Sequence, residues 1–317
     1  MATGKGKFKG WHDWTGYLAE QGEELAAQVR RLTLKDMVAL SRPGFQVTVY
    51  PNPQEFFNAE ALEYVRAWQR ATADNPVGVC GPIGPIEQLK LVAAMINDLG
   101  IDVRNGHFAG MDEFFDVETG RAIGLNHPLS FAAADLGLCF NRLKSELRMP
   151  NAHLHFPTEK FEPYTAVWDD AGIEWDLVQG GQGDTKHIAF NDPEQAIGAY
   201  TFTPPTVQQY AALRTRIVEL HPATLIQDAR HSNGGEVSQI PSHAITVGMY
   251  EILNRAKCIS IWHPGHHDGP FGVRLTTFMI SQKLVDARVP MSLLALHPNV
   301  KFNFLGPAIA DAGIDVH

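Results

Sequence analysis

The run Gly180-Gly181-Gln182-Gly183-Asp184-Thr185-Lys186-His187-Ile188-Ala189-Phe190-Asn191-Asp192-Pro193 brings together what proton transfer on a polar ligand requires. Its glycines let the backbone turn sharply and present N–H groups to an oxygen-rich ligand. His187 exchanges protons near neutral pH. Asp192, further along the run, can hold one imidazole nitrogen and so fix the tautomer. A tight turn with a surface histidine would use the same residue types, but the run is long and particular enough to favour function. Three other polar segments are candidates: the acidic pair Asp112-Glu113, the turn Gly81-Pro82-Ile83-Gly84-Pro85, and the cluster His263-Pro264-Gly265-His266-His267-Asp268-Gly269. Taken alone, the acidic pair reads as solvated carboxylates at a strand end. The histidine cluster, with His231 as a further candidate neighbour, suits either a transition-metal ion or sugar hydroxyls, and it carries no complete ligand-spacing motif. Cys80 adjoins the glycine turn, but no local His or Asp could activate it, so it is not read as a nucleophile.

These segments gain meaning from the elements that precede them. Val77–Cys80 is a short apolar run leading into the Gly81 turn, and Leu89, Val92, Ala93 and Ile96 then share one helical face. Further strands are predicted at Phe45–Tyr50, Asp102–Phe108, Trp175–Gln179, Ala244–Gly248, Lys257–Trp262 and Ser292–Leu296, with an amphipathic helix over Glu55–Thr72. Short buried strands alternating with helices predict βαβ units and a mostly parallel sheet. Ligands in such folds bind beyond the carboxyl ends of the strands, which is where the polar segments fall. Leu18–Leu32, preceded by Trp11, Trp14 and Tyr17, has helical spacing. Residues 1–44 are therefore expected to form a helical extension packed on the body or on a neighbouring subunit, and residues 45–317 one α/β domain.

The 317 residues are 44% hydrophobic and 19% charged, a globular balance that excludes general disorder. With a formal charge of −9 and no long basic run, nucleic acid and anionic membrane are not expected partners. Lys5, Lys7 and Lys9 read as a solvated tail. No secretory signal pattern and no long apolar span are evident, and three scattered cysteines suggest reduced thiols. A cytoplasmic homo-oligomer without a cofactor is the expectation.

The Gly180–Pro193 run resembles, without a gap, the Gly-Gly-x-Gly-x-Asp-Gly-His-Ile-Ala-Phe-Asn-Glu-Pro motif of the glucosamine-6-phosphate deaminases. Met111-Asp112-Glu113 with His127-Pro128-Leu129-Ser130-Phe131 is similar to that family's Met-Asp-Glu and His-Pro-Glu-Ser-Tyr pair. Ile240-Pro241 through Gly248 resembles its Pro-x-x-Ala-Leu-Thr-Val-Gly strand, and Gly78–Pro85 stands in place of its phosphate loop. The resemblance spans roughly residues 45–301 and is specific in the His187 loop.

The resemblance implies a three-layer α/β/α sandwich with a mostly parallel, Rossmann-like sheet, a fold shared with 6-phosphogluconolactonase, ribose-5-phosphate isomerase and CoA transferase. It implies isomerisation of a small-molecule sugar or sugar phosphate with loss of ammonia from C2. Asp112 would carry the proton between C2 and C1, His187 would assist ring opening, Asp192 would orient it, and Glu113 would support the site. Gly81, Gly84, Gly181, Gly183, Asp184, Thr185, Lys186, Arg230 and His267 would contact substrate, Arg230 and His267 standing where the family binds phosphate. The departures matter. Thr185 and Lys186 replace the motif's Asp-Gly, and Pro82 and Pro85 offer no N–H. Weak activity on the phosphorylated sugar is therefore expected. A related isomerase or lactonase, metal-dependent or not, and a non-catalytic sugar sensor are the alternatives.

Overall fold

The computed structural model describes residues 24–193, 205–265 and 269–309. In chain order its elements are α1 (24–31), α2 (Leu34–Ala39), β1 (Phe45–Tyr50), α3 (Pro53–Trp68), β2 (Val77–Gly81), α4 (Glu87–Leu99), β3 (Gly106–Gly110), β4 (Asp112–Asp116), β5 (Arg121–Ala122), α5 (Phe131–Leu138) and β6 (Leu154–His155). They continue with α6 (Glu162–Asp169), β7 (Glu174–Gly180), α7 (Val207–Ala211), β8 (Arg216–Glu219), α8 (Pro222–Ser232), β9 (His243–Thr246), α9 (Met249–Arg255), β10 (Cys258–His263), α10 (Pro270–Ser281) and β11 (Val300–Leu305). Among the described residues, no helix is long and apolar enough to cross a membrane.

A seven-stranded sheet in the order β1-β11-β10-β7-β2-β3-β6 forms the centre, and every pairing in it is parallel. Successive residues of its strands face opposite cores. Leu177 packs with Tyr64, Trp68, Leu89 and Val92 of α3 and α4, whereas Val178 packs with Tyr164, Ile252 and Val273 of α6, α9 and α10. This period-two division across helices on both faces makes the expected three layers. A parallel sheet covered on both sides needs apolar residues on both faces, which is why its strands read as continuous apolar runs.

Local chemistry sets the element ends. Asn52 caps α3, its side chain accepting from the Glu55 N–H at 2.9 Å, with Pro53 beside it in the first turn. Leu25 and Val29 of α1 pack on Leu275, Phe278 and Met279 of α10, so the described part of the N-terminal segment lies on the body. Trp11, Trp14, Tyr17 and the start of the Leu18–Leu32 helix lie outside the described residues.

Three strand expectations need correction. Of Asp102–Phe108 only Gly106–Phe108 is strand, at the start of β3, and residues 102–105 are coil and turn. Ser292–Leu296 belongs to a 3₁₀ helix, Pro290–Leu296. Proline opens the segment, and Met291, Leu293 and Leu294 are all buried, so a short apolar run could not be told from a strand by pattern alone. The strand is β11, whose interior Asn303 interrupts the apolar pattern and is satisfied by donating to Ser260 Oγ at 3.1 Å and to the Ile261 carbonyl at 3.3 Å. The strand expected at Ala244–Gly248 exists as β9 but belongs to a separate antiparallel sheet, β5-β4-β9-β8. This second sheet carries Asp112 as the first residue of β4. It is joined to the main sheet where the Met111 N–H donates to the Gly81 carbonyl at 3.1 Å.

Candidate active site

The loops after β2 and β7 run side by side because their strands are neighbours in the sheet. Gly181 approaches Gly84 so closely that an added Cβ would meet the Gly84 carbonyl oxygen at 2.8 Å. Gly183 bears a tighter requirement. The His187 ring lies directly against it, and any Cβ there would overlap the imidazole. The glycines of the run thus serve close approach. Lys186 and Ala189 adopt positive φ, 63° and 52°, without being glycine. Two of the three non-glycine residues with positive φ among the described residues thus fall in the turn that carries His187, the third being Lys283.

His187 is fixed from behind. Asp192 Oδ1 accepts hydrogen bonds from His187 Nδ1 at 2.7 Å, Thr185 Oγ1 at 2.6 Å and Thr224 Oγ1 at 2.8 Å. Asp192 Oδ2 accepts from the backbone N–H of His221 at 3.0 Å, at the start of α8. An acceptor-only carboxylate assigns the proton on this side to Nδ1 and leaves Nε2 for exchange with a ligand. Burial disfavours the imidazolium, but the charge and hydrogen bond of Asp192, with the charges of Asp228 and Asp112, outweigh it and raise the His187 pKa. Burial works against the Asp192 carboxylate too, yet His187 and the donors around it hold its pKa down at about 2. Below about pH 6.5, and above the Asp192 value of about 2, the pair is therefore a buried, hydrogen-bonded ion pair.

Asp112 and His187 both line one open cleft of about 100 Å³, together with Gly84, Gly181, Gly183 and Asp228. Burial, followed by the charges of Glu113 and Asp228, pushes the Asp112 carboxyl up to about 8. Glu113 itself turns away, as alternation along β4 demands. It accepts from the N–H groups of Phe114 at 3.0 Å, Phe131 at 3.1 Å and Ala132 at 3.0 Å, and from Ser130 Oγ at 2.9 Å. Glu113 thus closes the amino end of α5 and does not line the cleft.

The remaining sequence candidates divide. Thr185 is buried behind His187 and joins the Asp192 network. Asp184 and Arg230 face outward and pair with each other at 2.9 Å. The Lys186 ammonium donates to the Asp184 carbonyl at 2.6 Å and does not line the cleft. Gly81 is the buried end of β2, its carbonyl taken by Met111. His263 is buried at the end of β10, while His266, His267 and Asp268 lie outside the described residues. Among the described residues, no group of His, Cys, Asp or Glu is arranged to hold a metal ion. Cys80 is buried, and burial raises its thiol pKa well above the usual range.

Sequence reasoning singled out His231 on α8 but missed the rest of its face. Thr224, Gln227, Asp228 and His231 follow the spacing i, i+3, i+4, i+7; Thr224 meets Asp192, and the other three line the cleft. The signal was available as a polar stripe at helical period, but inward faces are usually sought as apolar ones. Asp228 is raised to about 7: burial and the charges of Asp192 and Asp184 push it up, against the pull of His187.

No family model matches the chain. Glucosamine-6-phosphate deaminase of Aliivibrio salmonicida is 27% identical over 201 residues, 62% of this chain and 67% of the relative. That of Borreliella burgdorferi is 27% identical over 234 residues, 72% of this chain and 76% of the relative. Among solved structures, a monomeric glucosamine-6-phosphate deaminase superposes with a TM-score of 0.64 at 17% identity, covering 83% of this chain and 98% of that one. The 6-phosphogluconolactonase of Thermotoga maritima superposes with a TM-score of 0.53 at 12% identity, covering 82% and 99%. At these identities the structural neighbours speak to fold, and the sequence relatives carry the kinship. The chain is a divergent relative of the glucosamine-6-phosphate deaminases and has the fold that those enzymes and the 6-phosphogluconolactonases adopt.

Proposed function

We propose that the protein isomerises an amino sugar and releases its C2 nitrogen as ammonia. The observation that carries this reading is a carboxyl, Asp112, sharing one cleft with a histidine whose tautomer and charge are fixed from behind by Asp192. His187 Nε2 exchanges a proton with the ring oxygen as the pyranose opens to the aldehyde. The Asp112 carboxylate then removes the C2 proton, and the electron pair moves through C1 onto O1, which takes a proton from solvent to give an enolamine. The same group returns its proton to C1, leaving a protonated imine at C2. Water adds there and ammonia departs, so that amino sugar and water become ketose and ammonia. A positioned base of this kind contributes on the order of 100-fold or more. Sugar isomerase and lactonase chemistry are the neighbouring possibilities within the superfamily.

The test follows ammonia release and solvent deuterium uptake at C1 with glucosamine, its 6-phosphate and a sugar lactone. Asp112→Asn is expected to lower turnover at least about 100-fold while sugar binding persists. Lactone hydrolysis that survives Asp112→Asn, with no deuterium uptake in the parent, overturns the isomerase reading.

A further inference from the structure

The inward face of α8 carries a carboxylate where the resemblance anticipates a cation. Arg230 and Asp228 are two residues apart on α8, about 200° around a helix, so they cannot face the same way. The guanidinium is outside, paired with Asp184 at 2.9 Å, and the carboxylate lines the cleft. Asp228 Oδ2 is shielded from solvent and accepts no hydrogen bond from the described residues. A buried acceptor of this kind calls for a donor from a ligand or a bound water. The described lining contains no Lys or Arg; Gln182, Gln227, His231 and Ser232 supply its other polar groups on this side. Opposite them, Pro82 contributes no N–H.

Resting on the isomerase reading above, we propose that Asp228 is the specificity-determining residue of the cleft, and that it selects an unphosphorylated amino sugar by accepting from a sugar hydroxyl or ammonium. A phosphate dianion placed against α8 would face a carboxylate of its own sign with no Lys or Arg among the described lining, and with the His187 imidazolium already paired with Asp192. A hydroxyl or ammonium instead gives Asp228 Oδ2 the donor it lacks, a charge-assisted hydrogen bond in a shielded place. Asp228 then contributes in both directions, by attraction to one substrate class and repulsion of the other.

The experiment measures binding by calorimetry and kcat/KM at pH 8, above the value of about 7 to which Asp228 is raised, for glucosamine and glucosamine 6-phosphate, in the parent, Asp228→Asn and Asp228→Ser. Each variant is first checked for a parent-like thermal melt, and the serine change supplies a smaller neutral side chain should the amide misfit. The parent is expected to favour the unphosphorylated sugar at least about 10-fold. Both variants are expected to weaken glucosamine and strengthen the 6-phosphate, collapsing that ratio about 10-fold or more. Tighter binding of the 6-phosphate by the parent overturns the proposal, as does a ratio unchanged in both variants or binding of neither sugar. If the binding ratio behaves as expected while no sugar is turned over, the specificity assignment stands and the isomerase reading falls.

Discussion

The hydroxyl of Thr185 occupies the place where the resemblance anticipates a carboxylate, and the geometry explains how the site tolerates the change. Thr185 donates to Asp192 at 2.6 Å, so one negative charge, not two, stands behind His187. A second carboxylate at that separation could not stay ionised beside the first. Asp192 is then the main charge supporting the imidazolium, aided by Asp228 and Asp112. Asp192→Asn should therefore let burial dominate and drop the His187 pKa below its ordinary 6.5. Imidazole titration followed by NMR checks this: the parent midpoint lies above 6.5, the variant midpoint below it. Turnover near neutral pH should fall with it, since ring opening loses its proton source. A variant midpoint at or above the parent's would show that Asp192 does not govern the ring.

Strands and helices assign the side chains their directions, and here the sequence was legible in part. Alternating apolar strands and helices were enough to foresee a parallel sheet with chemistry at its carboxyl edge, since each polar segment follows its strand directly. The pattern could not separate Asp112 from Glu113, because an adjacent pair on a strand points both ways and only the packing of α5 shows which way is inward. Nor could it mark Asp228, which reads in sequence as one more solvated residue of an exposed helix. Ser292–Leu296 reads as a strand in sequence and β11 goes unmarked, because burial on all sides removes the period that distinguishes a 3₁₀ segment from a strand. Glu113 now carries a prediction at this scale. Three of its four accepted hydrogen bonds, from Ser130, Phe131 and Ala132, hold the start of α5 against β4, so Glu113→Gln replaces one acceptor oxygen by a donor that faces donors. The expected loss is about 2 kcal/mol or more, given roughly 1.5–3 for a hydrogen bond to a charged group. Urea melts should show it, while kcat well below the melting temperature stays close to the parent's. A large fall in kcat with unchanged stability would return Glu113 to the chemistry.

For the molecule as a whole, the consequence of this cleft is a stability that depends on pH with an unusual sign. Asp112 and Asp228 are pushed up to about 8 and about 7, and the fully buried Glu60 and Asp135 are raised well above the carboxylate range. Each is a group that the unfolded chain ionises near pH 4 and the folded chain keeps protonated to higher pH. Between those values the folded state binds more protons than the unfolded one, so stability falls as pH rises. His187 adds the same sign above pH 6.5: its folded pKa is raised, so its contribution is fully present below 6.5 and fades as pH passes the folded value. Asp192 has the opposite sign. With a folded pKa of about 2 its contribution is complete above pH 4 and is lost only in strong acid, so it adds no slope between pH 5 and 7. These carboxyls should therefore draw stability down from pH 5 to pH 7, by at most about 1.4 kcal/mol per pH unit for each retained proton, against an opposing contribution below pH 6.5 from His107 and His155, which burial lowers to about 4, and from His221, which burial also lowers. Urea melts at pH 5, 6 and 7 measure this slope in the parent, in Asp112→Asn, in Asp228→Asn and in the double variant. Each single change removes one retained proton and should shift the slope upward from the parent's, and the double variant should shift it further. A double variant with the parent's slope would mean that the cleft carboxyls are already ionised in the folded protein. That outcome would also alter the chemistry, because a base ionised at pH 5 needs no rise toward pH 8 to act. If instead the slope is as expected, kcat/KM should climb toward pH 8 as Asp112 becomes the carboxylate that takes the C2 proton, and the loss of stability and the gain of activity would follow one titration.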